Sequence, residues 1–577
     1  MRISKASRRL ILPAFATALL TGQVPQASAA NVDPFKGVVL SKSYVVMRPG
    51  TNDTLYADIL PFDAPPEAVA WKIDDATVAT VDGDGVVTAV GLGTATLTAT
   101  SREGYKAACT IKVSDKDTDF TRNFRPGGKG GPGGGTPPDM ASDGTRPEMP
   151  QGGMGGGPGG GMGGGPGGGM GGGRMGGGMG SRSFGSQSKS VSDESDATDD
   201  NGYVQQGQEN ELDKATYSSK TSDANAVKLT GGRLVMTDCT ISKLGGNTKS
   251  DDGSNYYGLN AAVLARRGAG LTMTGGTIDT KAKGASGIVA YSGFADVAEV
   301  TINCAEKNSR GISATNGGVI EAYNLTVNTK GQKSQAIALA QGGGVTRVIG
   351  GNYTTEGKES EILYSTGDLT VNNITGKSSQ GEIGVVEGDN FIAINNCDLT
   401  GGAGRGLLIL QSGSGNAGFG LNGIITVAGG ALAMTDKNAP LIEVVTNVNG
   451  RVTLDGVKTT VPSGVLMAVD YNKSWNTYGA TGVLILSGEG TTYTGSVTAD
   501  KYSSSKVTVN EGVVWEGAYD TADTGSTTTL TINGGTWTLT DDSCVDRITL
   551  NGGATINKNG HKLTYTSLKQ NEGTIND

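Results

Sequence analysis

Thr277-Ile278-Asp279 is followed by Thr301-Ile302-Asn303, then by Thr326-Val327-Asn328 and Asn352-Tyr353-Thr354. The central residue returns after 24, 25 and 26 positions, and the column continues at Ile374 and Leu399, after 21 and 25. A second column, Ile288, Ile312, Ile337 and Ile362, steps by 24, 25 and 25 and resumes at Leu407. Two registers that keep one period mark a solenoid. The apolar runs are short and punctuated by Gly, Asn, Ser and Asp, so each repeat reads as two or three strands joined by turns. One such coil cannot bury its apolar face alone. Stacking successive coils makes a continuous interior, with strands paired in parallel between coils. The polar neighbours Asn303, Asn328, Asn372 and Asn395 are placed to stack as side-chain ladders at the bends.

This spacing resembles the single-stranded, right-handed parallel β-helix of the pectin-lyase-like class, over residues 212–577. The handedness comes with the resemblance. Near the end, Leu530-Thr531-Ile532-Asn533-Gly534-Gly535-Thr536-Trp537 leads to Ile548-Thr549-Leu550-Asn551-Gly552-Gly553. That texture is similar to the last coils of autotransporter passenger domains, although no amphipathic strands for a translocating barrel follow.

Upstream the periodicity changes. Val69-Ala70-Trp71-Lys72-Ile73-Asp74-Asp75, Val78-Ala79-Thr80-Val81-Asp82 and Gly85-Val86-Val87-Thr88-Ala89-Val90-Gly91 alternate short β runs with turns. The run Gly93-Thr94-Ala95-Thr96-Leu97-Thr98-Ala99 and Ala107-Ala108-Cys109-Thr110-Ile111-Lys112-Val113 complete a module over residues 35–114. It resembles a bacterial Ig-like group 2 domain, a resemblance that implies a β-sandwich and an extracellular spacer or adhesion setting. Asp82-Gly83-Asp84-Gly85 reads as a hairpin turn within it rather than a calcium loop, because no later bidentate glutamate follows.

Between the two modules, residues 115–211 read as a disordered linker. Residues 126–185 hold 30 glycines and seven of the 13 methionines, a composition that cannot bury enough surface to offset its ordering entropy. At the front, Arg2, Lys5, Arg8 and Arg9 precede an apolar stretch over residues 10–20 and the small residues Ala27-Ser28-Ala29. Residues 1–29 therefore read as a cleaved secretory signal. The expected whole is all-β: export signal, Ig-like sandwich, glycine-rich linker, β-helix.

Composition narrows the function. The 577 residues carry a formal charge of −9 and no basic cluster beyond the first nine residues, which argues against nucleic acid. A single histidine, His561, excludes metal sites built on histidine pairs; it reads as a surface or cap residue. No later stretch is long and apolar enough for a transmembrane helix. The five cysteines, Cys109, Cys239, Cys304, Cys397 and Cys544, show no CxxC spacing and read as small buried residues.

No metal, cofactor or catalytic set is expected. Asp251-Asp252 reads as solvated charge in a Gly- and Ser-rich loop, and Asp541-Asp542 as a turn after a strand. The carboxylate and arginine motifs of the β-helix polygalacturonases and pectate lyases are not recognisable.

Two insertions stand out. The step from Ile241 to Ile278 is 37 and carries Tyr256 and Tyr257; a second holds Asp470, Tyr471, Trp475 and Tyr478. Aromatic faces beside amides and carboxylates suit sugars, so these six are the candidate ligand-binding residues. The expected function is an exported, non-catalytic surface or secreted protein that binds polysaccharide or a cell-surface or host-matrix partner. The alternative is a polysaccharide lyase or glycoside hydrolase with a divergent site.

Overall fold

The computed structural model describes residues 37–40, 44–55, 57–60, 69–115, 202–340, 343–411, 421–445, 448–471 and 479–577. The signal reading at residues 1–29 and the glycine-rich stretch at 126–185 lie outside them.

From Tyr203 onward the strands stack into a β-solenoid of about 14 turns. Its first strands, Tyr203–Gln206 and Glu209–Asp213, begin within the stretch read as linker, so the solenoid starts ahead of the expected boundary at 212. Three parallel sheets form its walls. The first contains 12 strands, from Tyr203–Gln206 to Ser496–Ala499. The second contains 23, from Glu209–Asp213 to Leu563–Gln570, commonly two per turn. The third contains five, from Thr492–Thr494 to Thr574–Asn576, and begins in the last turn that the first sheet reaches.

Alternation along each strand sends every second side chain inward. Ile241, Ile278, Ile302, Val327 and Tyr353 therefore meet in register on successive turns, and all are buried. Leu399 joins the same column, but Ile374 does not. Tyr353 pairs with Gly376, and Gly376 with Leu399. In the second column Ile337 pairs with Leu363 rather than Ile362. The two departures meet at Gly376. Gly376 has no side chain, and a Cβ there would come within 2.8 Å of Leu399 Cδ2 and 3.0 Å of Ile362 Cγ2. Ile362 thus fills the space its rung leaves empty.

The asparagine ladders form as separate short stacks, but Asn303 and Asn328 stand within strands rather than at bends. Asn303 donates to Asp279 and Asn328 to Asn303, each at 2.9 Å, while Asn395 donates to Asn372 at 2.9 Å. A further stack, not read from the sequence, runs Ser487, Asn510, Asn533, Asn551, Asn571.

The described residues between 37 and 115 form the Ig-like domain around a separate core that includes Leu55, Val87, Leu97, Cys109 and Ile111, with Trp71 packed against it. Its largest sheet has the strand order Tyr44–Met47, Lys106–Val113, Gly93–Thr100, Ala70–Ile73. The Asp82–Gly85 turn is tied by the Asp82 carboxylate, which accepts from the Asp84 and Val86 N–H groups. Gly85 there has φ +79°, and a Cβ would lie 2.4 Å from the Leu55 carbonyl oxygen.

All five cysteines are free thiols. Four are buried and Cys544 is half-buried. Burial pushes the Cys304 and Cys397 thiols up to about 12, leaving almost no thiolate to react at neutral pH. Native protein treated with a disulfide reagent at pH 8 is therefore expected to modify at most one thiol, Cys544. All five should react in guanidinium. Modification of two or more in the folded protein would contradict this packing.

Candidate functional site

The outer face of the first sheet is the unusual surface of the solenoid. On strand Ile312–Thr315, Ile312 and Ala314 enter the core, so Ser313 and Thr315 point outward. On strand Leu407–Leu410, Leu408 and Leu410 point outward in the same way. An outward position on a solenoid is ordinarily wet, yet Ser313, Thr315, Leu408, Leu410 and Glu387 are all buried.

One cover is a short helix, α1 (Asp251–Tyr257), in the 37-residue step. Asp251-Asp252 thus stand in a helix rather than in the loop expected from the sequence. Ser250 makes the difference: its hydroxyl accepts the Gly253 N–H as N-cap, and the two aspartates occupy the first turn, where their charge suits the helix dipole. Gly258, in the left-handed region at φ +71°, ends the helix. The helix lies over the sheet: the Asn255 carbonyl accepts from Arg310 Nη1 at 3.2 Å and the Tyr256 carbonyl from the Thr315 hydroxyl at 2.8 Å. The Tyr257 ring meets Tyr291 with centroids 5.7 Å apart. Burial raises the Tyr256 hydroxyl pKa, with the Asp252 charge adding to it.

A row of polar side chains runs down the face from there. Arg310, Gln335, Glu361, Glu382 and Arg405 each stand two residues ahead of positions paired in register, Ile312, Ile337, Leu363, Gly384 and Leu407. Arg310 Nε donates to Gln335 Oε1 at 3.0 Å, and Gln335 Nε2 to Glu361 Oε2 at 2.7 Å. The Arg310 guanidinium also lies 5.8 Å from the Tyr364 ring centroid. Two turns on, Arg405 bridges two carboxylates: Nε to Glu382 Oε1 at 3.2 Å and Nη1 to Glu443 Oε2 at 2.6 Å. Burial raises the Glu443 pKa, Arg405 opposes that, and Asp470 adds to it.

At the far end burial also raises Asp470, helped by the like charge of Asp500. Asp500 organises an aromatic pair. Its carboxylate accepts the Tyr471 and Tyr502 N–H groups at 2.8 and 3.0 Å, and the two rings meet with centroids 4.9 Å apart. Tyr502 is 56% exposed, with Lys501 Nζ 5.0 Å from its ring centroid.

The predicted residues thus fall into two groups on one face. Tyr256 and Tyr257 stand at one end, Asp470 and Tyr471 at the other. Six strand steps separate Ile312–Thr315 from Val465–Asp470, or about 29 Å at roughly 4.8 Å each. Trp475 and Tyr478 lie outside the described residues. Sequence reasoning missed Arg310, Glu361, Glu382, Arg405 and Glu443 between the two ends. For all but Glu443 the available signal was a polar residue recurring two positions ahead of the in-register column.

Asp541, Asp542 and His561 also come together, with one ligand atom from each lying within 4.8 Å of the others. His561 Nδ1 is 3.9 Å from Asp542 Oδ1. The parallel pairing of Ser543 with Leu563 sets their corners side by side, which local sequence does not display.

Comparison with known proteins places residues 34–111 in the family described as bacterial Ig-like domain (group 2). A lacto-N-biosidase of Bifidobacterium bifidum is 36% identical over 93 residues, 16% of this chain and 8% of that enzyme. Two uncharacterized proteins of Clostridium acetobutylicum are 33% identical over 79 residues and 32% over 82. These matches span 13% and 14% of this chain, and 8% and 21% of the relatives. The chain therefore spans a small fraction of the curated relatives it matches. No helix among the described residues is long and apolar enough to cross a membrane. The chain carries a group 2 bacterial Ig-like domain followed by a parallel β-solenoid.

Proposed function

We propose that this is an exported, surface-associated protein that binds polysaccharide, without turning it over, on the outer face of the first sheet. The observation that carries the reading is the two tyrosine pairs at the ends of that face, Tyr257 with Tyr291 and Tyr471 with the exposed Tyr502. Tyrosine rings at both ends offer apolar faces to sugar C–H groups. Arg310, Gln335, Glu361 and the Arg405 pairs are buried beneath that surface and hold one another in place, so the rings stand on a rigid floor and little freedom is lost on binding. The Ig-like domain supports a surface or secreted setting. The lacto-N-biosidase match is consistent with a carbohydrate context but covers too little of that enzyme to bring its activity with it.

Binding is favoured over catalysis because Glu382 and Glu443 are both committed to Arg405. A general acid needs a carboxyl free to hand over its proton. The second reading, a glycoside hydrolase or lyase, rests on Glu443 and Asp470, neighbouring carboxyl groups that both have raised pKa values.

A glycan array probed with the full chain, beside assays for released reducing sugar and unsaturated uronate, separates the two. Retention of glycans without product release is expected. Tyr502→Ala should weaken binding about 3- to 10-fold, the worth of one stacked ring. No captured glycan, or an affinity unchanged in both Tyr502→Ala and Tyr364→Ala, would remove this face as the site.

A further inference from the structure

The central strand of the Ig-like domain, Lys106–Val113, is paired along its whole length on one side by Gly93–Thr100. On its other side Tyr44–Met47 pairs only with Thr110–Val113. Backbone groups of alternate residues point to the same edge, and Ser114 N–H, on this edge, donates to the Met47 carbonyl. The same parity makes Lys106 and Ala108 the open half of that edge. An open strand edge is a template for pairing with another chain, and folded proteins cover it.

Here the cover is two side chains of the solenoid. Lys106 N–H donates to Asn396 Oδ1 at 2.9 Å, while Asn396 Nδ2 donates back to the Lys106 carbonyl at 2.6 Å. One amide side chain thus satisfies both backbone groups of a residue, as a neighbouring strand would. Ala108 N–H donates to Asn395 Oδ1 at 3.0 Å. Asn395 is held for this by its own donation to Asn372, and Asn396 by a left-handed corner at φ +51°.

Around these bonds the contact is polar and closed. Lys106 Nζ lies 2.9 Å from Asp455 Oδ1, and Arg451 Nη2 3.1 Å from Asp74 Oδ2. The hydroxyls of Thr96 and Thr453 are 3.1 Å apart. Lys72, Asp74, Thr96, Thr98, Thr453, Asp455 and Ser487 line the small cavity left at the junction.

We propose that Asn395 and Asn396 form a strand-edge receptor on the flank of the solenoid, whose occupant is the half-open edge of this chain's own Ig-like domain. The domain then acts as a bracket fixed to the second sheet, not as a free spacer. It closes an edge that would otherwise promote self-association, and it leaves the outer face of the first sheet untouched. The receptor stands whether or not that face binds glycans.

The test is a cysteine pair, Thr96→Cys with Thr453→Cys, in the full chain under mild oxidation. A near-complete disulfide within one chain is expected, located by peptide mapping and with no change in molecular mass in solution. Adding Lys106→Glu, which sets two like charges against each other at Asp455, should slow cross-linking about tenfold or more. Asp455→Lys on top of it should restore the rate, which a merely misfolded variant would not do. The proposal is overturned if the pair stays reduced while circular dichroism and thermal unfolding match the parent protein. It is equally overturned if the disulfide forms only between chains, or if Lys106→Glu leaves the rate unchanged.

Discussion

Arg405→Ala is expected to lower the unfolding free energy of the solenoid by about 3–5 kcal/mol, the usual consequence of removing one partner from a buried ion pair. The Arg405 side chain is 5% exposed, and its partners Glu382 and Glu443 are 11% and 16% exposed. With the guanidinium gone, two carboxylates are left facing one another in a poorly hydrated corner, with Asp470 adding a third negative charge near Glu443. The loss comes less from the bonds broken than from charges stranded.

The pH dependence has a definite sign. Burial already holds the Glu443 pKa above that of an exposed glutamate, and without Arg405 it rises further. A carboxyl whose folded pKa lies above its unfolded value costs stability above the folded pKa, and that cost disappears as protons bind below it. The gap between Arg405→Ala and the parent should therefore be widest at pH 8 and shrink toward pH 5. Arg405→Lys keeps a charge but loses the two-pronged geometry and should fall between them. Denaturant unfolding at the two pH values reads this out. A gap below about 0.5 kcal/mol at pH 8, or one that widens on acidification, would show that the pairs are not a buried unit.

These charges explain what the sequence could and could not display. The inward columns were legible because a solenoid repeats one packing problem at each turn, so Ile278, Ile302 and Val327 had to recur at nearly constant spacing. The spacing misled at Ile374 and Ile362, where the turn passes through Gly376 and a neighbour supplies the missing bulk. The candidate face was harder. Glu382, Arg405 and Glu443 are separated by 23 and 38 positions, so no local window contains the cluster. The tyrosines were found because they sat in insertions that broke the period, but the cap at Ser250 that turns the first insertion into a helix was passed over. Contacts across 290 residues, such as Lys106 with Asn396, leave no mark on either stretch alone.

Trp537→Ala should cost about 3–5 kcal/mol as well, but with a different footprint. In the third sheet Tyr493, Trp515, Trp537, Ile556 and Ile575 follow one another in register. Trp515 and Trp537 are fully buried, and their rings stack at 5.1 Å and 9°. Each indole N–H donates at 2.9 Å to a carbonyl one turn back, at Gly495 and Gly517. Truncation therefore opens a cavity of indole size, removes one face of the stack and leaves the buried Gly517 carbonyl without its side-chain donor. Because each turn of a solenoid rests mainly on its neighbours, the damage should stay local. Hydrogen exchange should show lost protection across residues 514–577, while strands between 203 and 410 and the Ig-like domain keep theirs. Trp537→Phe retains a ring against Trp515 and forfeits the hydrogen bond and part of the volume, so its loss should be clearly smaller. Uniform loss of protection along the whole chain would mean that the solenoid unfolds as one cooperative block, and unchanged protection at 514–577 would mean that the tryptophan stack does not hold the last turns together.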